Sequence, residues 1–421
     1  MMMFKFKYLQ YLKGICLVAG TCIGAGMIGV PVKTGVVGLI PTMLAFICIW
    51  GIMTASALLL LEASLAFKIP VNFISITKNI FGDLGKNIAW GICILFMYSV
   101  MAAYASGGAG IFNQCFPKVK LWLSTIIFML PFGLIVYFGN QIVSLFNRFL
   151  MLGVIICFLL LCSSIILVGG EHLQPITNVL FNKHNCEIKF LFLALPLMVV
   201  TFSYHEIIPP LAAYLKFQIK PLKAAILLGS IIPLVVYIVW ELVILWLIPE
   251  SGKGGLKEML LLNKNPNNSL IEYIALHYNN KFILNSLAGF SFFALTGCLT
   301  SSAWALFDFL ADGLSIPKDT KGKLLLSFIT FVPPVIYTIF FSNGFMKALS
   351  LAGGFSAIIM IIYPGLIVWR LRYIRKNIVH HECIKNLKEI TYQAPFGKLT
   401  ILGISLFGIL IIVLEIINHI Y

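Results

Sequence analysis

A chain of 421 residues that is 60% hydrophobic and only 11% charged, with a mean hydropathy of +0.99, lies outside the range of soluble globular domains. The net charge of +15 does not point to nucleic acid, because the 30 Lys and Arg sit singly or in small groups at the ends of apolar runs, which is the signature of membrane topology. Almost every window of roughly 20 residues is apolar enough to cross a bilayer, which leaves no room for a soluble catalytic domain.

Backbone polar groups in lipid have to be satisfied within each segment, and the alternating pattern of a membrane β-barrel is absent, so the chain reads as an all-α polytopic membrane protein. Eleven spans are predicted in chain order, at 11–36, 38–66, 87–115, 121–139, 148–168, 190–214, 223–248, 283–311, 324–342, 346–370 and 398–419. Met1 to Lys13 carries Lys5, Lys7 and Lys13 ahead of an apolar run, yet no small-residue cleavage site follows, so the first span is expected to stay uncleaved. A cytoplasmic N-terminus puts 20 of the 30 basic residues inside, Arg148, Lys318 and Arg372 among them, and leaves Tyr421 outside. The two longest polar segments, 169–189 with Glu171, His172, Lys183, His184 and Glu187, and 249–281, then fall outside and read as solvated loops. Ten cysteines are scattered through apolar stretches without a CxxC, as expected of small reduced residues rather than of a metal site or disulfides.

Two spans would make poor continuous helices. The first holds Gly20-Thr21-Cys22-Ile23-Gly24-Ala25-Gly26-Met27-Ile28-Gly29-Val30-Pro31; the sixth holds Thr201-Phe202-Ser203-Tyr204-His205-Glu206 followed by Pro209-Pro210. In a helix interior glycine costs about 1 kcal/mol and proline about 3 kcal/mol relative to alanine. Breaks five spans apart point to an inverted five-plus-five repeat with its binding site near the bilayer midplane. Repeat one would cover 11–168, repeat two 190–370, and the helix at 398–419 would lie outside both. Gly20, Gly24 and Ala25 also suit a seam of close helix packing, and that alternative stays open at this point.

An unwound helix exposes N–H groups at a positive dipole end, where a carboxylate can sit, and freed carbonyls that can take an ammonium group; a zwitterionic amino acid presents both. Gly24, Ala25 and Gly26 would offer bare backbone, Thr21 a hydroxyl, Met27 and Ser203 neighbouring contacts, and Phe202 and Tyr204 a cover for an apolar or aromatic side chain. Tyr98 and Tyr104 make span three tyrosine-rich and favour an aromatic ligand. Ionisable residues inside spans are costly, so each is a candidate for coupling: Glu62, His205, Glu206, Glu241, Asp308 and Asp312. His205 ranks first because imidazole titrates near physiological pH, with Glu206, Glu62 and Asp308 after it; for Asp308 and Asp312 an ion pair with a loop lysine is an equal reading. His205-Glu206 is not a zinc-protease signature, since Pro209 stands where the second histidine belongs. Gly107-Gly108-Ala109-Gly110 lacks the strand of a phosphate-binding fold and reads as close helix packing. No cofactor or metal is expected.

Val18-Ala19-Gly20-Thr21-Cys22-Ile23-Gly24-Ala25-Gly26-Met27, Leu58-Leu59-Leu60-Leu61-Glu62, Met97-Tyr98 with Ala102-Ala103-Tyr104 and Ser106-Gly107, Leu145-Phe146-Asn147-Arg148-Phe149-Leu150 and Ile232-Pro233-Leu234 follow one another along the chain. So do Phe307-Asp308-Phe309-Leu310-Ala311-Asp312, Thr330-Phe331-Val332-Pro333-Pro334, and Gly344-Phe345 with Ala348-Leu349. Taken together over essentially the whole chain they resemble the hydroxy and aromatic amino acid permease family, and within it the tyrosine-specific branch most, the tryptophan branch next. The resemblance implies eleven spans in the LeuT-like five-plus-five inverted repeat with helices 1 and 6 broken. It also implies proton symport in a bacterial inner membrane, with substrate at Gly24 to Gly26 and around Phe202 to His205. Glu206, where the family tends to have a small residue, and Lys33 after Pro31 depart from its pattern. Transport of serine or threonine, an amino acid sensor without turnover, and an intramembrane enzyme are the rival readings; short termini without a signalling domain count against the sensor, and the missing nucleophile against the enzyme.

Overall fold

The computed structural model describes residues 2–24, 26–67, 72–168, 174, 176–180, 188–262, 265–278, 280–341, 344–374 and 392–420. Ala25, Lys68, the polar residues Glu171, His172, Lys183, His184 and Glu187, and the basic residues Arg375, Lys376, Lys385 and Lys388 lie outside the described residues. What is described is helical, with no strand. Ten helices are long and apolar enough to cross a membrane, and eleven when the bent pair Tyr11–Cys22 and Gly26–Thr34 is taken as one span. Each corresponds to a predicted span.

Glycines and prolines set where the helices stop, bend and touch. The third span belongs to a 43-residue helix, Phe73–Cys115, which at 1.5 Å per residue would run about 65 Å, twice the hydrocarbon thickness. Gly82 interrupts it with φ +74°, a conformation open to glycine and strained for other residues, and so separates a short surface helix from the span proper. Gly139 at φ +99° turns Leu121–Phe138 directly into Asn140–Val168. Each interior proline frees the carbonyl four residues earlier, and hydroxyls from other spans collect two of them: Tyr98 donates to the Ile329 carbonyl freed by Pro333 at 2.8 Å, and Ser56 donates to the Met360 carbonyl freed by Pro364.

Span two, Leu39–Ala66, runs through the centre with Leu58 to Leu61 buried, whereas spans four, five, nine and eleven turn leucines, isoleucines and phenylalanines outward, as lipid-facing helices do. Gly107 and Gly108 lie where a Cβ would meet Phe345 at 2.9 Å and Phe128 at 2.1 Å, so this run is a contact surface between helices. The segment 249–281 is not the solvated loop that its polarity suggests. It forms helices Leu256–Leu261 and Pro266–His277; Asn265 caps the second by accepting from the Asn267 amide at 3.1 Å and donates to the Ser106 carbonyl at 3.3 Å. Leu270 and Ile274, four residues apart on one face, are fully buried, each stabilising the docked helix by about 1.5–3 kcal/mol. This hairpin of helices covers the predicted outer end of the bundle.

The last span, Lys398–Ile420, packs on span ten and on the outer half of span six. It carries Glu415, which accepts from Ser350 at 2.5 Å and lies 3.0 Å from His419. Asn418 of the same helix and Lys33 both donate to the Leu193 carbonyl, at 2.9 and 3.4 Å. Lys33 therefore faces this junction of spans one, six and eleven.

Candidate functional site

Both predicted breaks exist. The first span bends by 53° between Tyr11–Cys22 and Gly26–Thr34. The sixth runs as Ile188–Thr201, a non-helical stretch at 202–204, a single 3₁₀ turn at His205–Ile207, and Ile208–Tyr214, which carries Pro209 and Pro210 in its first turn. Tyr237 of span seven joins the two. Its hydroxyl lies 2.5 Å from the Cys22 carbonyl and 2.7 Å from the Thr201 carbonyl, the terminal acceptors of the two interrupted helices. Since a phenol carries one proton, it donates to one carbonyl at a time. Sequence reasoning passed over Tyr237; the available signal was its place on the buried stripe Pro233, Leu234, Tyr237, Trp240 and Glu241, where it carries the one hydroxyl.

A cavity of about 420 Å³ opens at the breaks. Thr21, Gly24 and Gly26 from span one, Tyr104 from span three, and Ser203 and Glu206 from span six line it, together with Phe96, Val154, Phe293 and Leu349. No room exists for a side chain at Gly24, where a Cβ would stand 2.1 Å from the Cys298 sulfur; at Gly26 it would stand 3.3 Å from Thr201. The Ser203 hydroxyl has no hydrogen-bond partner among the described residues, and the Thr21 hydroxyl donates to the Val18 carbonyl at 2.8 Å. Glu206 is the sole carboxylate among the lining residues and no Lys, Arg or His accompanies it. It makes no hydrogen bond or ion pair among the described residues and is exposed to the cavity. No group of three or more His, Cys, Asp or Glu able to hold a metal occurs among the described residues.

Other candidates lie elsewhere. His205 is buried, turned away from the cavity, tilted against the Tyr204 ring at 5.2 Å and next to the Met53 backbone, with neither ring nitrogen in a well-formed hydrogen bond. The local cause is the 3₁₀ turn: with three residues per turn, neighbours project about 120° apart, so Glu206 enters the cavity and His205 does not. Phe202 is edge-on to Tyr237 at 5.2 Å and Phe46 at 6.3 Å, fully buried. The Tyr204 hydroxyl donates to Thr54 at 3.3 Å. Neither ring covers the cavity, and Met27 and Tyr98 also lie outside its lining. Glu62 is fully buried in an ion pair with Arg372, whose Nε stands 2.7 Å away, and accepts the Ala394 amide at 2.7 Å; it ties span two to span ten and to the segment just ahead of span eleven. Asp308 forms a half-exposed pair with Lys318 at 2.8 Å, and Asp312 is on the surface. Glu241 accepts from Thr34 at 2.6 Å.

Two interrupted helices facing one another across a central cavity, within a bundle of up to eleven spans, define a transport protein of the LeuT fold. MhsT in complex with L-phenylalanine superimposes with a TM-score of 0.56 over 97% of this chain and 98% of that one, at 13% identity. In sequence the chain is 29% identical to tyrosine-specific transport system 1 of Haemophilus influenzae over 405 residues, 94% of each chain. It is 30% identical to the tryptophan-specific transport protein of Shigella flexneri over 365 residues, 85% of each. The chain belongs to the tryptophan/tyrosine permease family, whose model matches residues 7–415. It is thus a multi-pass membrane protein of a bacterial family of aromatic amino acid permeases, not of enzymes.

Proposed function

We propose that the protein imports an aromatic amino acid, tyrosine first and tryptophan second, across the bacterial inner membrane together with a proton, working by alternating access. The observation that carries this reading is the cavity at the paired breaks, with Glu206 as its one carboxylate. Its volume falls in the range of roughly 300–1,000 Å³ common to small-molecule sites. The substrate carboxylate would sit at the backbone of Gly24 to Gly26, at the positive end of Gly26–Thr34. The ammonium group would take the Ser203 hydroxyl and the carbonyls that Tyr237 shares, and the ring would lie among Phe96, Tyr104 and Phe293. Glu206 would take a proton from the outer face while the cavity is open there, stay uncharged while the bundle turns around the bound substrate, and release that proton to the cytoplasm. The 20 basic residues on one side support a cytoplasmic N-terminus and an outward C-terminus, and the paired breaks support the division into repeats at 11–168 and 190–370.

The test is uptake of labelled tyrosine into proteoliposomes under an imposed inward proton gradient, with and without a protonophore, with tryptophan, phenylalanine and serine as competitors. Accumulation that needs the gradient and is competed by aromatics is expected. Glu206→Gln is expected to keep tyrosine exchange and lose gradient-driven accumulation. Binding without accumulation in the unaltered protein would favour a sensor instead.

A further inference from the structure

The central cavity does not end at the breaks. A cleft of about 400 Å³ between the start of span five and the end of span eight shares Asn147, Met151 and Ser301 with it and continues past Arg148 and Trp304 to the predicted cytoplasmic end. Asn147 stands at the junction, where its amide donates to the Ser301 hydroxyl at 3.0 Å and bridges the two spans; its carbonyl oxygen is buried and has no hydrogen-bond partner among the described residues. Among the described residues Arg148 is the one cation lining either space and makes no ion pair, and it is exposed. Trp304 lines the cleft and stacks on Phe307 at 5.6 Å and 14°.

We propose that this cleft is a second binding site, a release subsite for the zwitterionic aromatic amino acid, in which Arg148 takes the carboxylate, the Asn147 carbonyl oxygen takes the ammonium group and Trp304 flanks the ring. The inference rests on the functional reading above. The two polar groups of an α-amino acid sit on one carbon, and Arg148 with its guanidinium and Asn147 with its amide oxygen both line this one cleft. Planar guanidinium matches carboxylate with two parallel donors, and an aromatic wall adds stacking. Turning toward a substrate ammonium gives the Asn147 oxygen the donor it lacks, and in doing so opens the bridge to Ser301. The path from the central cavity outward thus runs from an acidic group, Glu206, to a basic one, Arg148, which draws the carboxylate away from the site where the proton is given up. Arg148 is also one of the basic residues that set topology, and for that task alone any cation would serve equally and no ligand would depend on it.

The experiment compares tyrosine flux from the two faces, using right-side-out and inside-out membrane vesicles carrying the unaltered protein, Arg148→Gln and Arg148→Lys, with tyramine, which lacks the carboxylate, as a competitor. In Arg148→Gln the KM for tyrosine at the cytoplasmic face should rise about tenfold or more, the loss of a charge-assisted contact, with the outer KM within about twofold of the original. Tyramine competition at the cytoplasmic face should be unchanged. Arg148→Lys, which keeps the topogenic charge, should recover part of the KM. An unmoved cytoplasmic KM in Arg148→Gln overturns the proposal, as does an equal loss for tyrosine and tyramine, which would mark a general conformational defect. Flux in the unaltered protein with either of those results sinks this inference alone; absence of any tyrosine flux in the unaltered protein sinks the functional reading beneath it.

Discussion

Replacing Tyr237 by phenylalanine removes a single oxygen from the point where the two broken helices meet. The ring keeps its contacts, at 5.6 Å from Phe46 and 5.2 Å from Phe202, so packing changes little. What is lost is the proton that serves the Cys22 or the Thr201 carbonyl, each at the end of an interrupted helix and each buried. Leaving a buried acceptor unpaired costs about 1–3 kcal/mol, and that cost falls on every state in which the two breaks are held together. If transport passes through such a state, Tyr237→Phe should lower kcat/KM for tyrosine by roughly 5- to 150-fold, while the protein still elutes as a single folded species from a sizing column. Initial uptake rates across a range of tyrosine concentrations, normalised to folded protein, measure the effect. Unchanged kcat/KM would refute the reasoning and mean that water or substrate satisfies both carbonyls equally well.

Gly24→Ala should abolish uptake, because its Cβ would stand 2.1 Å from the Cys298 sulfur; adding Cys298→Ala should restore part of it, and a double variant as inactive as the single one would show that backbone freedom, not space, is what Gly24 supplies. Arg372→Met strands Glu62 as a buried charge, a loss of about 3–5 kcal/mol, so the yield of folded protein in detergent should collapse; normal yield and thermal stability would contradict the structural role. Asp308→Asn breaks an exposed pair worth about 0–1 kcal/mol, so proton-driven accumulation of tyrosine should stay within about twofold of the original, and its loss would return Asp308 to the coupling candidates. Asn265→Ala removes both the helix cap and the bond to the Ser106 carbonyl, about 0.5–2 kcal/mol for the cap, and should raise the proteolysis rate of 249–281; an unaltered rate would show that Leu270 and Ile274 hold the hairpin of helices alone.

The spans were legible because lipid leaves so few ways to satisfy a backbone. About 20 apolar residues between basic clusters admit one reading, and the glycine and proline clusters at 20–31 and 201–210 mark breaks that no continuous helix tolerates. Thr21, Gly24, Gly26, Tyr104, Ser203 and Glu206 were within reach for the same reason, since they lie on or directly across from those breaks. Which way a side chain leaves an unwound stretch was not legible. A one-turn 3₁₀ helix separates His205 from Glu206 by about 120°, and Phe202 joins Phe46 and Tyr237 in the core. Glu415 interrupts an apolar run as plainly as Glu62 does, and the rule that ionisable residues within spans carry function would have named it; its partner Ser350 was beyond reach.

Local composition therefore determined that this chain spans a membrane in a bundle of up to eleven helices and where two of them break, because hydrophobic thickness and helix propensity act over a few neighbouring residues. Only the tertiary structure decided which ionisable residue faces the cavity, that Glu62 and Arg372, 310 positions apart, form a buried pair, and that Tyr237 bridges the two breaks. Those outcomes depend on distances between helices remote in sequence, which close packing and the scarcity of water in lipid make stringent: each buried polar group has to find its partner wherever the fold brings one.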